Sequence, residues 1–469
     1  MTQKTHILCA PFPGAGHAVN MFNVATTIAN DDITAHVLVL SRKDGEKWMR
    51  ATGQDHNPNV HLRVLGNGQW EDWHPEEPRE LVMKVRSAEF NQAVREMIEE
   101  IRRLFPSDRT TALICNPLMG GLPEMTKELQ LQLHVLNPTA AYMIRLGSQH
   151  RPDLDSRRRV LLKGIGGSIE DLEAEPDDVM DFAGPMLQMS GVTLAAAQGM
   201  IYSNTNIGLE GDSFEQSHLL PAPFEDKTIK YMIGPILPPW YENALDRGAR
   251  PKPRLSAMSD ECIQFMNKQA YQSVAYVGMG SHIELTIDQA AFLVETLRRT
   301  NTPWVLLFRE GTEEMKRRLG EGFTDGVVTA WAPQQDIFLH PALKCVISHG
   351  GFGTMIEGIY AEQPFITSPV ASDQYIDSRV MRHLGMCVGT ISENHYEPIM
   401  GRTKLTPFWP DDGGKTIQAL FDRVFGTTEG EAELDKARAA SRALRKRIVE
   451  AKARDASTAM AKLRATLTK

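Results

Sequence analysis

The chain has 469 residues, a length that suits two or three domains. Its 42% hydrophobic and 23% charged residues are those of an ordinary globular protein, and its net charge of −8 excludes the basic face of a nucleic-acid binder. Five cysteines (Cys9, Cys115, Cys262, Cys345 and Cys387) are scattered with no CxxC pair, which argues against a disulfide framework or a zinc site and fits a reducing, cytoplasmic setting.

The first apolar run is five residues long and breaks at prolines, too short for a signal peptide, and no run reaches transmembrane length, so no stable membrane insertion is expected. HILCA (6–10) and AHVLVL (35–40) read as buried strands. Between them Met21, Val24, Ala25 and Ile28 fall at helical spacing, which predicts a βαβ unit and a parallel sheet. TALIC (111–115) and LHVLNP (133–138) predict further strands, with a helix over GLPEMTKELQ between them. Residues 66–80, which include Trp70 and Trp73, read as a long loop, and residues 151–181 are ambiguous between helix and loop. After IGPILPPW (233–240) a polar, proline-bearing stretch reads as a linker. Strands then follow at 273–279, 304–308, 326–330, 344–348 and 363–368, alternating with helices. Thr286 and Gln289 are spaced as a capping box, and Leu293 and Leu297 share a face of the helix it opens. The Ala-, Lys- and Arg-rich C-terminus predicts continuous helix.

This pattern gives an α/β fold with two doubly wound, Rossmann-like domains facing a central cleft. The expected boundaries are 1–235, a linker 236–258, a second domain 259–440, and a C-terminal helix 441–469 packing back on the first domain. Ligands of such sheets bind beyond the carboxyl ends of the strands.

The segment Trp331–Gln374 is the densest in chemistry. KCVIS is a strand, HGGFGT a glycine-rich turn, and a short helix is expected to start near Thr354. A helix start favours a phosphate through its free N–H groups and the positive end of its dipole. His349 and Thr354 add donors there. Glu357 lies one turn from Gly353, where a carboxylate would repel a phosphate but suits a pair of ribose hydroxyls. Trp331 follows a strand end, where an indole can stack on a base, and Asp373 and Gln374 follow another, offering groups for sugar hydroxyls.

Trp331–Gln374 is 44 residues long and closely resembles the ungapped signature box of the family 1 glycosyltransferases, the plant-type UDP-sugar transferases of small molecules. MIYSNTNIGLE, MIGPILP, CIQFMNKQAYQSVAYVGMGS and PFPGAGHAVNMFNVA resemble four further motifs of that family. The resemblance implies the GT-B fold and an inverting, metal-free transfer with no cofactor beyond the UDP-sugar co-substrate. It implies that Trp331 stacks on uracil with Ala332 beside it, and that Gln334 lies near base and ribose. Glu357 holds the ribose, and His349, Gly351, Phe352, Gly353, Thr354 and Ser281 surround the diphosphate. Asp373 and Gln374 bind the sugar, with Thr139 reaching it from the first domain. The final Gln374 points to UDP-glucose. The family's usual Trp and Asn are Phe352 and Gly353 here, and Gly353 removes a side-chain donor to phosphate.

His17 matches the family's general base, which deprotonates the acceptor hydroxyl. Its place near a helix N-terminus favours the neutral ring. The family's aspartate partner is replaced by Asn116, which can orient the ring but carries no charge. If Asn116 weakens the base, Asn116→Asp raises turnover on poorly acidic alcohols. A phenolic acceptor, a carboxylate from a loop, or C- or N-glycosylation would each accommodate the change. The acceptor is expected to be small and lipophilic, held by the 66–80 and 141–195 regions, and the enzyme to be a monomer of secondary metabolism. Two other readings stand beside this one. A UDP-sugar epimerase shares the fold, and GAGHAV begins like a dinucleotide fingerprint but has Val19 where the third glycine belongs. Asp153 and Asp155 mimic a metal motif of another transferase fold without the rest of its pattern, and His340 reads as structural.

Overall fold

The computed structural model describes residues 3–13, 15–52, 57–73, 78–137, 160–162, 172–174, 193–194, 196–210, 229–245, 254, 257, 260–280, 283–320, 322–370, 373–391, 406–407 and 409–469. The chain divides into two compact units, Met1–Pro238 with Ile448–Lys469, and Pro239–Arg447.

The first unit carries β1 (Thr5–Ala10), β2 (Ile33–Val39), β3 (Val60–Val64), β4 (Arg109–Cys115) and β5 (Gln132–Asn137). A short antiparallel pair follows, β6 (Val160–Leu162) and β7 (Leu172–Ala174), and then β8 (Gly199–Tyr202) and β9 (Ile229–Met232). Seven of them form one parallel sheet in the order β3-β2-β1-β4-β5-β8-β9. Every residue of β1 and β2 is buried, as expected of a parallel sheet covered on both faces. On one face the helix Ala15–Ile28 packs Met21, Val24, Ala25 and Ile28 against Ile7 and Val37, and Leu463 and Leu467 of the C-terminal helix join the same core. On the other, the helix Ala88–Leu104 contributes Phe90, Val94, Ile98 and Ile101. Trp70 is buried in that second core with Trp73 against it, and the Lys84 ammonium lies 4.4 Å from the Trp70 ring centroid. The stretch read as a long loop therefore packs inward around its tryptophans.

The second unit repeats the scheme with β10 (Val274–Gly278), β11 (Trp304–Leu307), β12 (Gly326–Thr329), β13 (Leu343–Ser348), β14 (Phe365–Thr367) and β15 (Cys387–Thr390). They are parallel in the order β12-β11-β10-β13-β14-β15. The Thr286–Gln289 capping box is present with both of its hydrogen bonds, and Leu293 and Leu297 behind it are fully buried. Where described, the stretch expected to be a linker belongs to this unit from Pro239 on: it forms the short helix Pro239–Glu242, and Arg254 pairs with the buried Asp336. The last helix runs unbroken from Thr428 to Leu467. In each sheet the strand order reverses once, between β1 and β4 and between β10 and β13, and the carboxyl ends beside such a switch point are where this architecture places ligands.

A buried polar relay ties β1, β2, β3 and the start of β4 together away from those ends. The Arg63 Nε–H donates to His36 Nδ1 at 3.2 Å, so His36 must carry its proton on Nε2, which donates to His6 Nδ1 at 2.8 Å. His6 Nε2–H then donates to Asp108 at 3.1 Å. Burial, with help from Arg63, His6 and the stacked His61, lowers the pKa of His36 to about 3. The folded chain thus refuses a proton that the unfolded chain accepts near pH 6.5, and stability present above that pH is lost on acidification. The His36 contribution to this loss between pH 7 and 5 is about 2 kcal/mol. Urea midpoints at the two pH values should show a smaller acid loss in His36→Gln by about that amount.

Candidate active site

In the second unit the polar residues gather at the carboxyl ends of β10, β12, β13 and β14. After β12, Thr329 Oγ donates to the Trp331 carbonyl at 2.8 Å and turns the chain outward. The Trp331 ring is 60% exposed, although other large apolar side chains of the unit, such as Trp304, are fully buried. Ala332 and Pro333 are buried beneath it, and the short helix Gln334–Phe338 follows.

That helix meets the helix Phe352–Tyr360 through one carboxylate. Gln334 Nε2 donates to Glu357 Oε2 at 2.7 Å and Gln335 Nε2 donates to Oε1 at 2.8 Å. The buried Tyr276 hydroxyl donates to Gln334 Oε1 at 3.3 Å, which fixes the orientation of that amide. The Tyr241 hydroxyl donates to the Glu357 backbone carbonyl at 2.6 Å. Burial raises the Glu357 pKa, and the two glutamine amides oppose that rise by favouring the ionised form. Next along the same helix, Asp336 is fully buried, and Arg254 holds it through both its backbone N–H (2.7 Å) and its guanidinium (2.8 Å). Arg254 also lies over Trp240, 4.0 Å from the ring centroid.

The glycine-rich turn lies between β13 and the helix Phe352–Tyr360. This helix begins two residues before the expected Thr354, because Gly351 takes the extended N-cap conformation and no side chain caps the start. Gly350 has φ +77°, and its N–H is met by Ser348 Oγ at 3.1 Å. The His349 ring is wedged between two glycines: a Cβ on Gly280 would sit 2.5 Å from it, and one on Gly351 2.4 Å. Gly353 differs. It is exposed, and a Cβ there would meet nothing within 4 Å, so packing does not demand a glycine. Thr354 is half-buried beside it, while Phe352 turns inward and is 3% exposed. Beyond β14, Asp373 precedes the helix Gln374–His383, and Gln374 Oε1 accepts from the Val370 N–H at 3.0 Å. Ser281, Thr139 and the Asp153–Asp155 pair lie outside the described residues. His340 is structural: Nδ1 accepts from the Ala342 N–H, Nε2 faces Asn267, and burial lowers its pKa to about 4.

In the first unit, His17 is the third residue of the helix Ala15–Ile28, just past the end of β1, and its ring meets Phe12 edge-on at 5.3 Å between centroids. Asn116 follows β4 across the switch point and is fully buried. Its Oδ1 accepts from the Phe12 N–H at 2.6 Å and its Nδ2 donates to the Leu136 carbonyl at 3.3 Å. The side chain therefore clips the loop before His17 to the ends of β4 and β5, and its hydrogen bonds go to these backbone groups rather than to the His17 ring. Beside the β1 and β2 ends lies a small apolar recess of about 10 Å³, lined by Leu38, Leu40, Trp48, Leu65 and Phe90. At the end of β2, Glu71 accepts from the Ser41 hydroxyl and from the Arg42 and Lys43 N–H groups. Among the described residues no cluster of His, Cys, Asp and Glu could hold a metal, and no helix is long and apolar enough to cross a membrane.

The sequence pattern of the family described as "UDP-glucoronosyl and UDP-glucosyl transferase" matches residues 241–395. UDP-glycosyltransferase 84B1 of Arabidopsis thaliana is 23% identical over 400 residues, 81% of this chain and 82% of that protein. Cis-zeatin O-glucosyltransferase 2 of Zea mays is 30% identical over 223 residues, 44% of this chain and 46% of its own length. Among solved structures, a UDP-glucosyltransferase from Polygonum tinctorium capable of glucosylating indoxyl superposes with a TM-score of 0.74 at 17% identity, covering 100% of both chains. The Phytolacca americana enzyme complexed with UDP-2-fluoro-glucose and pterostilbene gives 0.72 at 15% identity, over 99% of this chain and 100% of that one.

The geometry of Asn116 reverses the outcome expected from sequence for its aspartate variant. In Asn116→Asp one carboxylate oxygen keeps the Phe12 N–H, but the other faces the Leu136 carbonyl in a fully buried position. The expected result at pH 7 is a loss of about 1–3 kcal/mol without a gain in turnover. Because the protonated acid can donate to Leu136, the gap in melting temperature from the parent should narrow as the pH falls toward 5.

Proposed function

With its UDP-sugar transferase domain over residues 241–395, the chain belongs among the family 1 UDP-glycosyltransferases, and we propose that it transfers glucose from UDP-glucose to a hydroxyl of a small, lipophilic, phenolic acceptor. The observation that carries the donor reading is the set of groups on the second unit. An exposed indole at Trp331, a carboxylate at Glu357 held from the helix that follows the indole, and the uncapped start of the helix that carries Glu357 offer groups for base, ribose and diphosphate. The exposed indole offers a stacking face to uracil, and the helix start stabilises the charge that grows on the departing diphosphate. His349 and Thr354 add donors, and Asp373 and Gln374 meet the sugar hydroxyls.

On the first unit His17 takes the acceptor proton. The acceptor oxygen then attacks the anomeric carbon as the bond to the UDP oxygen breaks, and the electron pair leaves with UDP. The product has inverted configuration, and the step needs no metal. A neutral Asn116 leaves the imidazolium without a charged partner, which suits an acceptor whose hydroxyl is already acidic, hence a phenol.

The reading is tested by incubating the enzyme with UDP-glucose, UDP-galactose or UDP-glucuronic acid and a panel of phenols, alcohols and amines, with mass spectrometry of the products. Conversion of phenols with UDP-glucose is expected, and donor turnover without any acceptor product would favour the epimerase. Two variants separate the roles. Trp331→Ala should weaken UDP binding about tenfold, a stacking energy of about 1–3 kcal/mol, and leave stability within about 0.5 kcal/mol. His17→Ala should lower kcat about 10²- to 10⁴-fold and leave UDP affinity unchanged.

A further inference from the structure

Gln335 sits one residue past the glutamine that the signature box assigns to the donor, and nothing in the box gives it a role. In the structure it does as much as its neighbour. An ionised carboxylate offers about four acceptor positions over its two oxygens. Gln334 fills one on Oε2 and Gln335 fills one on Oε1, leaving one on each oxygen. A ribose diol brings one O–H for each. With Gln334 alone the carboxylate could swing about its last bond and still keep its single hydrogen bond. A second bond, on the other oxygen, fixes that rotation. Both amides stand on the same short helix, and Arg254 clamps that helix through the buried Asp336 beside them.

We infer that Gln335 is a positioning residue for the donor ribose, its amide holding Glu357 so that one acceptor position on each oxygen faces the 2′,3′-diol. The inference rests on the ribose role proposed for Glu357. Burial alone would push that carboxyl toward its protonated form, which accepts fewer hydrogen bonds, and the two amides oppose this.

The test is titration calorimetry of the full chain with UDP and with 2′-deoxy-UDP. The parent should prefer UDP by about tenfold, the scale of a hydrogen bond to a charged group. In Gln335→Leu the preference should fall to about threefold or less, with 2′-deoxy-UDP affinity close to the parent's. A Leu variant that keeps the parent's preference overturns the inference. A parent that shows no preference overturns the ribose role of Glu357 itself, and the two failures are thereby distinguished. Should Gln335→Leu not fold, Gln335→Glu decides. Two facing carboxylates share a proton more readily as the pH falls, so its preference for UDP should be lost at pH 8 and recover toward pH 5.5. A flat profile in that variant overturns the inference.

Discussion

Two hydrogen bonds from glutamine amides to the Glu357 carboxylate organise the second unit's ligand face. They join the helix that follows the exposed indole to the helix that opens the glycine turn. Tyr276 on β10 and Tyr241 on the short helix Pro239–Glu242 close on the same two residues, one on the Gln334 amide and one on the Glu357 carbonyl. Four segments far apart in sequence therefore meet around Glu357 and Gln334. A carboxylate beside an anion-binding helix start is unfavourable unless its charge is held by donors and aimed away from the anion. The two amides supply those donors to Glu357.

The same reasoning explains the neutral residue at the switch point of the first unit. Asn116 lies between a backbone N–H and a backbone carbonyl, and only a side chain that both accepts and donates satisfies the two at once. A carboxylate would satisfy one and repel the other. An asparagine in place of a catalytic aspartate reads in sequence as a weakened base. In the fold it is a fastening for the loop that delivers His17.

The alternation of strands and helices was legible because parallel strands buried on both faces are continuous apolar runs, and helices between them keep their period. HILCA, KCVIS and the helix face of Met21, Val24, Ala25 and Ile28 needed no tertiary information. The strands that sequence reading passed over, β3, β6, β7, β8, β9 and β15, are short, and β3, β9 and β15 lack the fully buried pattern of the central strands. Their pairing comes from the sheet rather than from local preference. Trp70 and Trp73 were ambiguous because polar neighbours mark a surface loop, whereas the indoles had a core to enter. The box from Trp331 to Gln374 was legible as chemistry because its residues follow strand ends at fixed spacing. Gln335 was not, since its importance lies in a distance to Glu357, 22 residues on, that no local pattern encodes.

The glycine turn completes the division of labour between the held and the free groups. Gly280 and Gly351 leave room for the His349 ring that any Cβ would take. Gly350, at positive φ, sits against Ser378 Oγ and shares that constraint. Gly353 is under no such constraint and points into open space. Three of the glycines are thus required by packing or backbone conformation, and the fourth is a departure that the fold permits. The side chain missing at Gly353 could be restored without disturbing the ring, the turn or the carboxylate behind it. Gly350 and Gly351 thus set the backbone of the turn, while the side-chain order of this face lies at Glu357, which Gln334 and Gln335 hold from both sides.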